Sequence, residues 1–137
     1  MTASVIVDTG PLVALLVARD QHHRWARTVL EDIEPPLLTC EAVISEACFL
    51  VRNLEGGRDA VLGLLAKRIV VIDFELTPEI DRVRRLMQRY ASVPMALADA
   101  CIVRMAEVRA ANRILTLDGD FRIYRRNGRQ PLALISP

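Results

Sequence analysis

The chain has 137 residues, a formal net charge of +1 at pH 7, and 52% hydrophobic and 26% charged residues. That length suits one domain spanning residues 1–137 with its own hydrophobic core, and that composition excludes a disordered chain. No apolar run is long enough to span a membrane, the N-terminus lacks a signal-peptide pattern, and the three cysteines lack zinc-site spacing. We therefore expect a cytoplasmic protein with reduced thiols and no membrane association.

The first half of the chain alternates apolar runs with helical patterns. The first run, ASVIV, is β-branched and typical of a strand buried on both faces, and Pro11 suits the start of a helix. Asp20 is the expected N-cap of a second helix. In chain order we predict a strand over 3–7, a helix over 12–18, a helix over 20–33, a strand over 37–40, a helix from 41 and a helix over 60–65.

The second half continues the alternation. Thr77 is the expected N-cap of its first helix, and Pro94 precedes the next one. In chain order we predict a strand over 69–74, a helix over 77–90, a helix over 95–111, a strand over 114–117 and a strand over 131–135. Strands that alternate with helices imply parallel βαβ units with right-handed crossovers. The expected fold is therefore a three-layer α/β domain.

Two acidic side chains directly follow predicted strands. Asp8 comes after ASVIV, and Asp118 comes after ILTL. In parallel α/β folds, ligands bind beyond the carboxyl ends of the strands. We therefore expect both carboxylates in a ligand site at one edge of the sheet.

Two more acids lie inside predicted helices that are otherwise apolar, Glu46 in AVISEACFLV and Asp99 in MALADACIVRMA. An ionised carboxylate among apolar neighbours costs free energy unless a cation pairs with it. A single acid of this kind is ordinarily explained by a structural salt bridge. However, no basic residue is interleaved around Glu46, and Arg104 lies on a different helix face from Asp99. Four such acids in one small domain point instead to a bound cation.

The cation that suits these ligands is Mg²⁺ or Mn²⁺, since both prefer carboxylate and water oxygens. A site of this kind leaves coordination positions open for a phosphate oxygen and for an attacking water. The reaction then needs no nucleophilic side chain, and the sequence has no GxSxG motif and no convincing Cys/His arrangement. The acids therefore predict metal-dependent hydrolysis at a phosphate group.

Four segments resemble the motifs of PIN-domain ribonucleases, and within that family those of VapC-type toxins from bacterial toxin–antitoxin pairs. VIVDTGPLVALL resembles the first motif, an aspartate after strand one followed by Ser or Thr. SEACFLV resembles the second motif, with its glutamate, and LADACIV resembles the third, with its aspartate in a helix. LTLDGDF resembles the fourth, T-x-D-x-D-F. The motifs occur in the expected order and span essentially the whole chain, which makes the resemblance specific.

The resemblance implies a three-layer PIN-like fold around a mostly parallel five-stranded sheet, bound Mg²⁺ or Mn²⁺, and cleavage of RNA. It also implies a homodimer and a small antitoxin partner. Carried over motif by motif, it assigns metal binding and catalysis to Asp8, Glu46, Asp99 and Asp118, with Asp120 as the reserve or additional acid. Thr9 and Thr116 become candidate hydroxyl contacts to a bound water or ligand. Helix capping or strand-end hydrogen bonding would explain these two threonines equally well.

Basic residues are concentrated late in the chain. Residues 1–81 carry seven basic and thirteen acidic side chains, whereas residues 82–137 carry eleven arginines and four acids. Arginine suits bidentate contact with phosphate, although genome composition would also explain its frequency. The candidate RNA contacts are those that follow the fourth acid directly: Arg122, Arg125 and Arg126. A second group in the 77–90 helix fits a solvated face, with RNA or antitoxin contact as the alternative: Arg82, Arg84, Arg85 and Arg89.

Other functions fit the acids less well. A haloacid-dehalogenase-like phosphatase also begins with an aspartate after strand one, but it needs a second aspartate two positions later, where this chain has Gly10. A receiver-like domain needs a late lysine, and the only lysine, Lys67, opens a predicted strand. A nuclease that is not a toxin, and an inactive PIN-like module that only binds RNA or protein, remain alternatives.

Overall fold

The computed structural model describes residues 4–109 and 112–137, and helices and strands alternate along that part of the chain. The strands are β1 (Val5–Val7), β2 (Leu37–Thr39), β3 (Val70–Ile72), β4 (Arg113–Leu115), β5 (Arg125–Arg126), β6 (Gln130–Pro131) and β7 (Leu134–Ile135). The helices are α1 (Thr9–Leu16), α2 (His23–Glu31), α3 (Glu41–Leu50), α4 (Gly57–Ala66), α5 (Leu76–Arg89) and α6 (Leu97–Val108). A short 3₁₀ turn, Gly119–Arg122, follows β4. No helix in these ranges combines the length and the hydropathy that crossing a membrane requires.

A five-stranded parallel sheet in the order β3-β2-β1-β4-β7 forms the centre of the protein. All three residues of β1 are buried, as expected for a central strand that helices cover on both faces. From β1 the chain builds outward to β3, then returns to the other side of β1 to form β4 and β7. Right-handed crossovers place the helices before and after this reversal on opposite faces. This confirms the predicted three-layer fold with its parallel five-stranded sheet.

The first helix begins earlier than the sequence indicated. α1 starts at Thr9, and not at residue 12, because Asp8 Oδ1 accepts a hydrogen bond of 2.8 Å from Thr9 N and caps the helix. Pro11 fits within this first turn, where backbone N–H groups have no helical acceptor. The predicted beginning of the first strand, at residue 3, and the predicted end of the sixth helix, at residue 111, lie outside the described residues.

Two predicted helix N-caps are displaced by two residues, one of them later and the other earlier in the chain. α2 begins after His22, whose backbone N donates to the Asp20 carboxylate at 2.8 Å, so Asp20 supports the turn that precedes the helix. α5 begins after Glu75, and Thr77 lies in its first turn. Neither His22 nor Glu75 makes a side-chain capping hydrogen bond, so these two helices begin without the caps that the sequence indicated.

A β-hairpin near the C-terminus replaces part of a predicted loop. The strand predicted over 131–135 divides into β6, which pairs with β5 in antiparallel fashion, and β7, which joins the central sheet beside β4. Asn127 and Gly128 make the turn with φ values of 53° and 75°, closed by a hydrogen bond of 3.2 Å from Arg129 N to Arg126 O. Asn-Gly is a strong sequence signal for such a turn, and it could have predicted this hairpin.

The carboxylate of Glu107 on α6 forms a hydrogen bond with the backbone of this hairpin. Its side chain is only 3% exposed. Oε2 accepts a hydrogen bond of 2.7 Å from Asn127 N, and Oε1 lies 3.4 Å from Arg104 Nη1 and 3.7 Å from Arg82 Nη2. Arg104 also pairs with Glu79. One network of charges therefore joins α5, α6 and the hairpin.

We expect Glu107→Ala to lower the free energy of unfolding by about 3 kcal/mol, because it removes the buried partner of Arg104 and of the Asn127 N–H. Glu55→Ala is the matched control, since Glu55 is exposed and has no ion pair in the described part of the chain. It should change that free energy by less than about 0.5 kcal/mol. Urea denaturation measures both values, and equally small effects would show that the network contributes nothing to stability.

Candidate active site

The order of the sheet reverses between β1 and β4, which lie side by side. In parallel α/β folds, ligands bind in the crevice outside the carboxyl ends of the strands at such a reversal. Asp8 directly follows β1, while Thr116 and Asp118 follow β4. Asp8 N donates to Leu115 O at 3.0 Å, so the strand pairing continues up to this point. The structure brings both strand-end acids to one edge of the sheet.

Two hydrogen bonds hold the carboxylate of Asp8. Oδ1 accepts from Thr9 N at 2.8 Å, and Oδ2 accepts from the Thr116 hydroxyl at 2.8 Å. Asp8 is only 6% exposed. This burial raises the pKa of Asp8 from 3.8 to about 6, although the two hydrogen bonds oppose the rise, and the charges of Asp99 and Asp118 add to it. Asp8 is therefore ionised at neutral pH at a cost in free energy.

Thr116 connects Asp8 to the acids that follow β4. Its hydroxyl donates to Asp8 and accepts a hydrogen bond of 2.9 Å from Asp118 N. Asp118 Oδ1 in turn accepts from Asp120 N at 2.9 Å, which starts the 3₁₀ turn. Thr116 is fully buried. In this structure its hydroxyl orients the acids through strand-end hydrogen bonding.

Glu46 and Asp99 reach the same region from α3 and α6. Glu46 lies on the exposed side of α3, and Asp99 is half-buried in the first turn of α6. Partial burial raises the pKa of both carboxyls. The charges of Asp99 and Asp118 raise the pKa of Glu46 further, and the charges of Asp118 and Asp120 raise that of Asp99. Charges shift one another's pKa in this way only at short range. We call the five residues the acid cluster: Asp8, Glu46, Asp99, Asp118 and Asp120.

No ion pair in the described residues includes a member of the acid cluster. Arg104, the nearest basic residue after Asp99 in sequence, pairs with Glu79 and Glu107 instead. A structural salt bridge therefore does not explain why Glu46 and Asp99 lie in apolar helices. The cluster is an uncompensated concentration of negative charge.

Tyr124, to which nothing in the sequence points, contacts the acid cluster. Its hydroxyl donates to Asp99 Oδ2 at 3.0 Å, and Ala96 N donates to the same oxygen at 3.3 Å. The ring is fully buried and packs edge-on against Phe121 and Tyr90, with centroid distances of 5.2 and 5.1 Å. Burial and the nearby carboxylates raise the pKa of Tyr124, so its phenol keeps its proton and remains a donor to Asp99.

The residues of the cluster fit a divalent cation. Thr9 is 3% exposed, and its hydroxyl has no hydrogen-bond partner among the residues described, which is costly for a buried polar atom. This hydroxyl and the carboxylates are the oxygen donors that Mg²⁺ and Mn²⁺ prefer. Over residues 4–109 and 112–137, no group of three or more His, Cys, Asp or Glu side chains is arranged to hold a metal ion. Mg²⁺ is commonly held by only one or two carboxylates and several waters.

Comparison with known proteins identifies the family. The family model of the PIN domain matches residues 5–127. This chain belongs to the PIN-domain family. Ribonuclease VapC26 of Mycobacterium tuberculosis (strain ATCC 25618 / H37Rv) is 28% identical over 118 residues, which are 83% of this chain and 86% of that protein. The crystal structure of Mycobacterium tuberculosis VapC20, a sarcin-ricin loop cleaving toxin, has a TM-score of 0.73 at 21% identity and covers 85% of this chain and 92% of that one.

The family match confirms the resemblance carried by the four sequence motifs, and the similarity to VapC20 confirms the PIN-like fold. Divalent-metal dependence is a general property of PIN domains. The matched range contains the whole acid cluster and Tyr124. The oxygen-rich edge of the sheet is therefore the part of this PIN domain to examine for metal binding.

Of the three arginines predicted to contact RNA, Arg122 lies beside the acid cluster of this PIN domain. Arg122 lines a small pocket of about 190 Å³ together with Asp118, and its Nη2 lies 3.3 Å from Ser136 Oγ. Arg125 Nη1 donates to the carbonyl oxygens of Arg122, at 2.7 Å, and Tyr124, at 3.1 Å. Arg126 contacts the side chain of Gln130. Arg122 is thus the one of the three that shares a pocket with an acid of the cluster.

We expect Asp8→Asn to stabilise the metal-free protein at pH 7 and to lose this advantage in acid. With a pKa of about 6 in the fold against 3.8 in the unfolded chain, ionised Asp8 costs the fold at most about 3 kcal/mol at pH 7. As the pH falls through 6 towards 4, the folded wild type takes up a proton before the unfolded chain does, so it gains stability that the variant cannot gain.

Thermal unfolding in EDTA at pH 7, 6 and 5 tests this expectation. The Tm of Asp8→Asn minus that of the wild type should be positive at pH 7 and should shrink at each lower pH. A variant that melts below the wild type at every pH would identify the Asp8 carboxylate as a structural residue, held for stability by Thr9 and Thr116.

Proposed function

We propose that this PIN domain is a metal-dependent endoribonuclease that acts as the toxin of a toxin–antitoxin pair. The observation that carries the proposal is the acid cluster, in which five carboxylates from four parts of the chain lie close enough to interact electrostatically, without a basic partner in the described residues. Carboxyls whose pKa is raised by burial and by neighbouring negative charges, as it is for Asp8, Glu46 and Asp99, gather at functional sites. Membership of the PIN family, and the similarity to Ribonuclease VapC26, support RNA as the substrate.

The metal of this proposal is Mg²⁺ or Mn²⁺. Its ligands come from Asp8, Glu46, Asp99 and Asp118, with Asp120 as an additional or alternative ligand. When bound, such an ion lowers the pKa of an attacking water and neutralises charge on the phosphate group. The mutual repulsion of the carboxylates favours uptake of a cation, because each negative charge is more costly while the others are unpaired.

The other residues of the site hold these acids in place. The Thr9 N–H and the Thr116 hydroxyl fix both oxygens of Asp8, and the Tyr124 hydroxyl fixes Oδ2 of Asp99. Glu46 is the exposed member of the acid cluster. We therefore propose that RNA reaches the cluster from the Glu46 side, while the buried threonines and Tyr124 exclude water from the opposite side.

The partners follow from the same proposal. We propose one nuclease domain over residues 1–137 that works in the cytoplasm, forms a homodimer and is held by a small antitoxin. Large apolar side chains on α3 and α4 are half exposed or more, and they offer surface for such contacts: Phe49, Leu50 and Leu62.

Cleavage of total cellular RNA by the purified protein tests the function. We expect discrete fragments with Mn²⁺ or Mg²⁺, none with EDTA, and none from Asp8→Asn or Asp99→Asn, because each substitution removes a metal-binding charge with little change in shape. Asp59→Asn is the control, since Asp59 is exposed on α4 and lies outside the acid cluster. Mn²⁺ should also raise the Tm of the wild type and leave that of Asp8→Asn nearly unchanged.

The outcomes of this experiment separate the alternatives. Fragments that persist in Asp8→Asn would indicate a contaminating nuclease. A wild type that binds Mn²⁺ and is free of antitoxin, but cleaves no RNA in the pool, would contradict the endonuclease proposal and favour a PIN-like module that only binds RNA or protein.

Tyr124→Phe tests the positioning of Asp99. The ring stays packed, but Asp99 loses a charge-assisted hydrogen bond, so we expect kcat to fall about tenfold and the Mn²⁺ concentration for half-maximal activity to rise. KM for RNA should change little. Tyr90→Phe is the control, since the Tyr90 hydroxyl accepts from Arg125 N at 3.0 Å and contacts no acid. A Tyr124→Phe enzyme with unchanged Mn²⁺ dependence would show that this hydroxyl serves stability alone.

A further inference from the structure

One face of α5 presents a row of arginines at helical spacing. Arg82, Arg85 and Arg89 are exposed, and together with Leu86 they form one wall of a pocket of about 250 Å³. The opposite wall consists of Glu107 and the hairpin turn at Asn127 and Gly128. We call this the arginine pocket. Arg84 lies on the same helix but does not line it.

The arginine pocket has fixed walls. Glu107 binds the Asn127 backbone N–H at 2.7 Å, and Arg89 Nη2 donates to Gly128 O at 2.9 Å, so both sides of the turn are anchored. The φ of 75° at Gly128 favours glycine, and a Cβ atom at this position would lie 2.6 Å from Arg89 Nη1, so the Arg89 side chain would have to shift to admit it. The hydrogen bond to Gly128 O therefore holds the Arg89 guanidinium before any ligand binds, and the ion pair with Glu107 orients that of Arg82.

Positive charge exceeds negative charge in the arginine pocket. Its only acid among the described lining residues is Glu107. This carboxylate pairs with both Arg82 and Arg104. Arg85 has no hydrogen bond or ion pair within residues 4–109 and 112–137. Arginine is the side chain best suited to planar, bidentate contact with phosphate. An anion placed here would meet one unpaired guanidinium and two partly paired ones.

A chain of aromatic contacts joins the arginine pocket to the acid cluster. Asp99 accepts from the Tyr124 hydroxyl at 3.0 Å, and the Tyr124 ring packs edge-on against Tyr90 at 5.1 Å. The guanidinium carbon of Arg89 lies 5.3 Å from the centre of the Tyr90 ring. Two tyrosines that pack edge-on therefore lie between the pocket and the cluster.

We propose that the arginine pocket binds a backbone phosphate of the single-stranded RNA flanking the bond that the acid cluster cleaves. This inference rests on the proposed nuclease function, and it adds a site that holds the substrate without reading its bases. An acidic segment of a protein partner would also suit the charges. RNA is favoured because contacts of 3.0, 5.1 and 5.3 Å through Tyr124 and Tyr90 link the acid cluster to Arg89, so the pocket lies close to the proposed site of cleavage.

Binding of a labelled, mixed-sequence single-stranded RNA tests the proposal, measured in an Asp8→Asn background with Mg²⁺ so that the probe stays intact. We expect Arg85→Ala to raise Kd about fivefold and to reduce the slope of log K against log salt by about 0.7, the value for one lost phosphate contact on a single strand. Arg85→Glu should weaken binding further. Arg84→Ala is the matched control on the same helix and should leave both quantities unchanged.

The Arg85 variants are suited to this test because that side chain makes no contact on which folding depends, and equal Tm values will verify this. Arg85→Ala and Arg85→Glu proteins that bind RNA with the Kd and salt slope of Arg84→Ala would overturn the proposal. So would variants that keep RNA binding but lose binding to a polyglutamate peptide, since the pocket would then dock an acidic protein segment.

Cleavage by the otherwise wild-type protein separates this inference from the nuclease proposal. If the wild type cleaves RNA, Arg85→Ala should raise KM and leave kcat nearly unchanged, whereas Arg84→Ala changes neither. If the wild type cleaves nothing, the nuclease proposal fails, and the binding measurement still decides whether the arginine pocket holds an RNA phosphate.

Discussion

The hydrogen bond between the Thr116 hydroxyl and Asp8 Oδ2 joins the ends of the two strands that meet where the sheet reverses its order. It forms because β1 and β4 pair with Val7 opposite Leu115, which brings the residues that follow them together. The same Asp8 carboxylate caps α1, and the same Thr116 hydroxyl receives the N–H of Asp118. A slip of one residue in this strand pairing would turn the side chains to opposite faces and separate the acids. The register of one parallel strand pair thus fixes the position of Asp8 relative to Asp118.

This arrangement places charge where the fold alone would not favour it. Asp8 is buried, and its pKa is raised to about 6. Burial and acidic neighbours also raise the pKa values of Glu46 and Asp99. The surrounding core offsets that cost, since β1, Ile114 and Leu115 of β4, and the inner face of α6 are buried and apolar. The donors that hold the acids, the Thr9 N–H, the Thr116 hydroxyl and the Tyr124 phenol, are all neutral. They orient the carboxylates while leaving their negative charge available to a cation.

The residues of this site that depend on local sequence pattern could be predicted from the sequence. Asp8 and Asp118 could be placed at one sheet edge because each follows an apolar run, and parallel strands end on the same side. Glu46 and Asp99 stood out because they interrupt apolar helices. Tyr124 could not be predicted, since its contact with Asp99 depends on a hairpin that folds back beneath α6. That hairpin had a signal in Asn127-Gly128, whereas α1 begins three residues before its predicted start because the Asp8 carboxylate caps it. Local pattern therefore located the acids, and tertiary structure decided what holds them.

A protein of nearly neutral charge that acts on a polyanion must keep its two kinds of charge apart. Were the α5 arginines adjacent to the acid cluster, they would pair with its carboxylates, lower their pKa values and remove the repulsion that favours a cation. If the α5 arginines were distant from the cluster, they could not hold the RNA close to the bond being cleaved. Tyr90 and Tyr124 occupy the space between and pack edge-on at 5.1 Å, and burial and the nearby carboxylates raise the pKa of Tyr124, so its phenol stays neutral. Tyr124 orients Asp99 on one side, and the Tyr90 ring packs beneath Arg89 on the other. Two aromatic side chains can thus keep opposite charges a short distance apart while fixing the geometry of both.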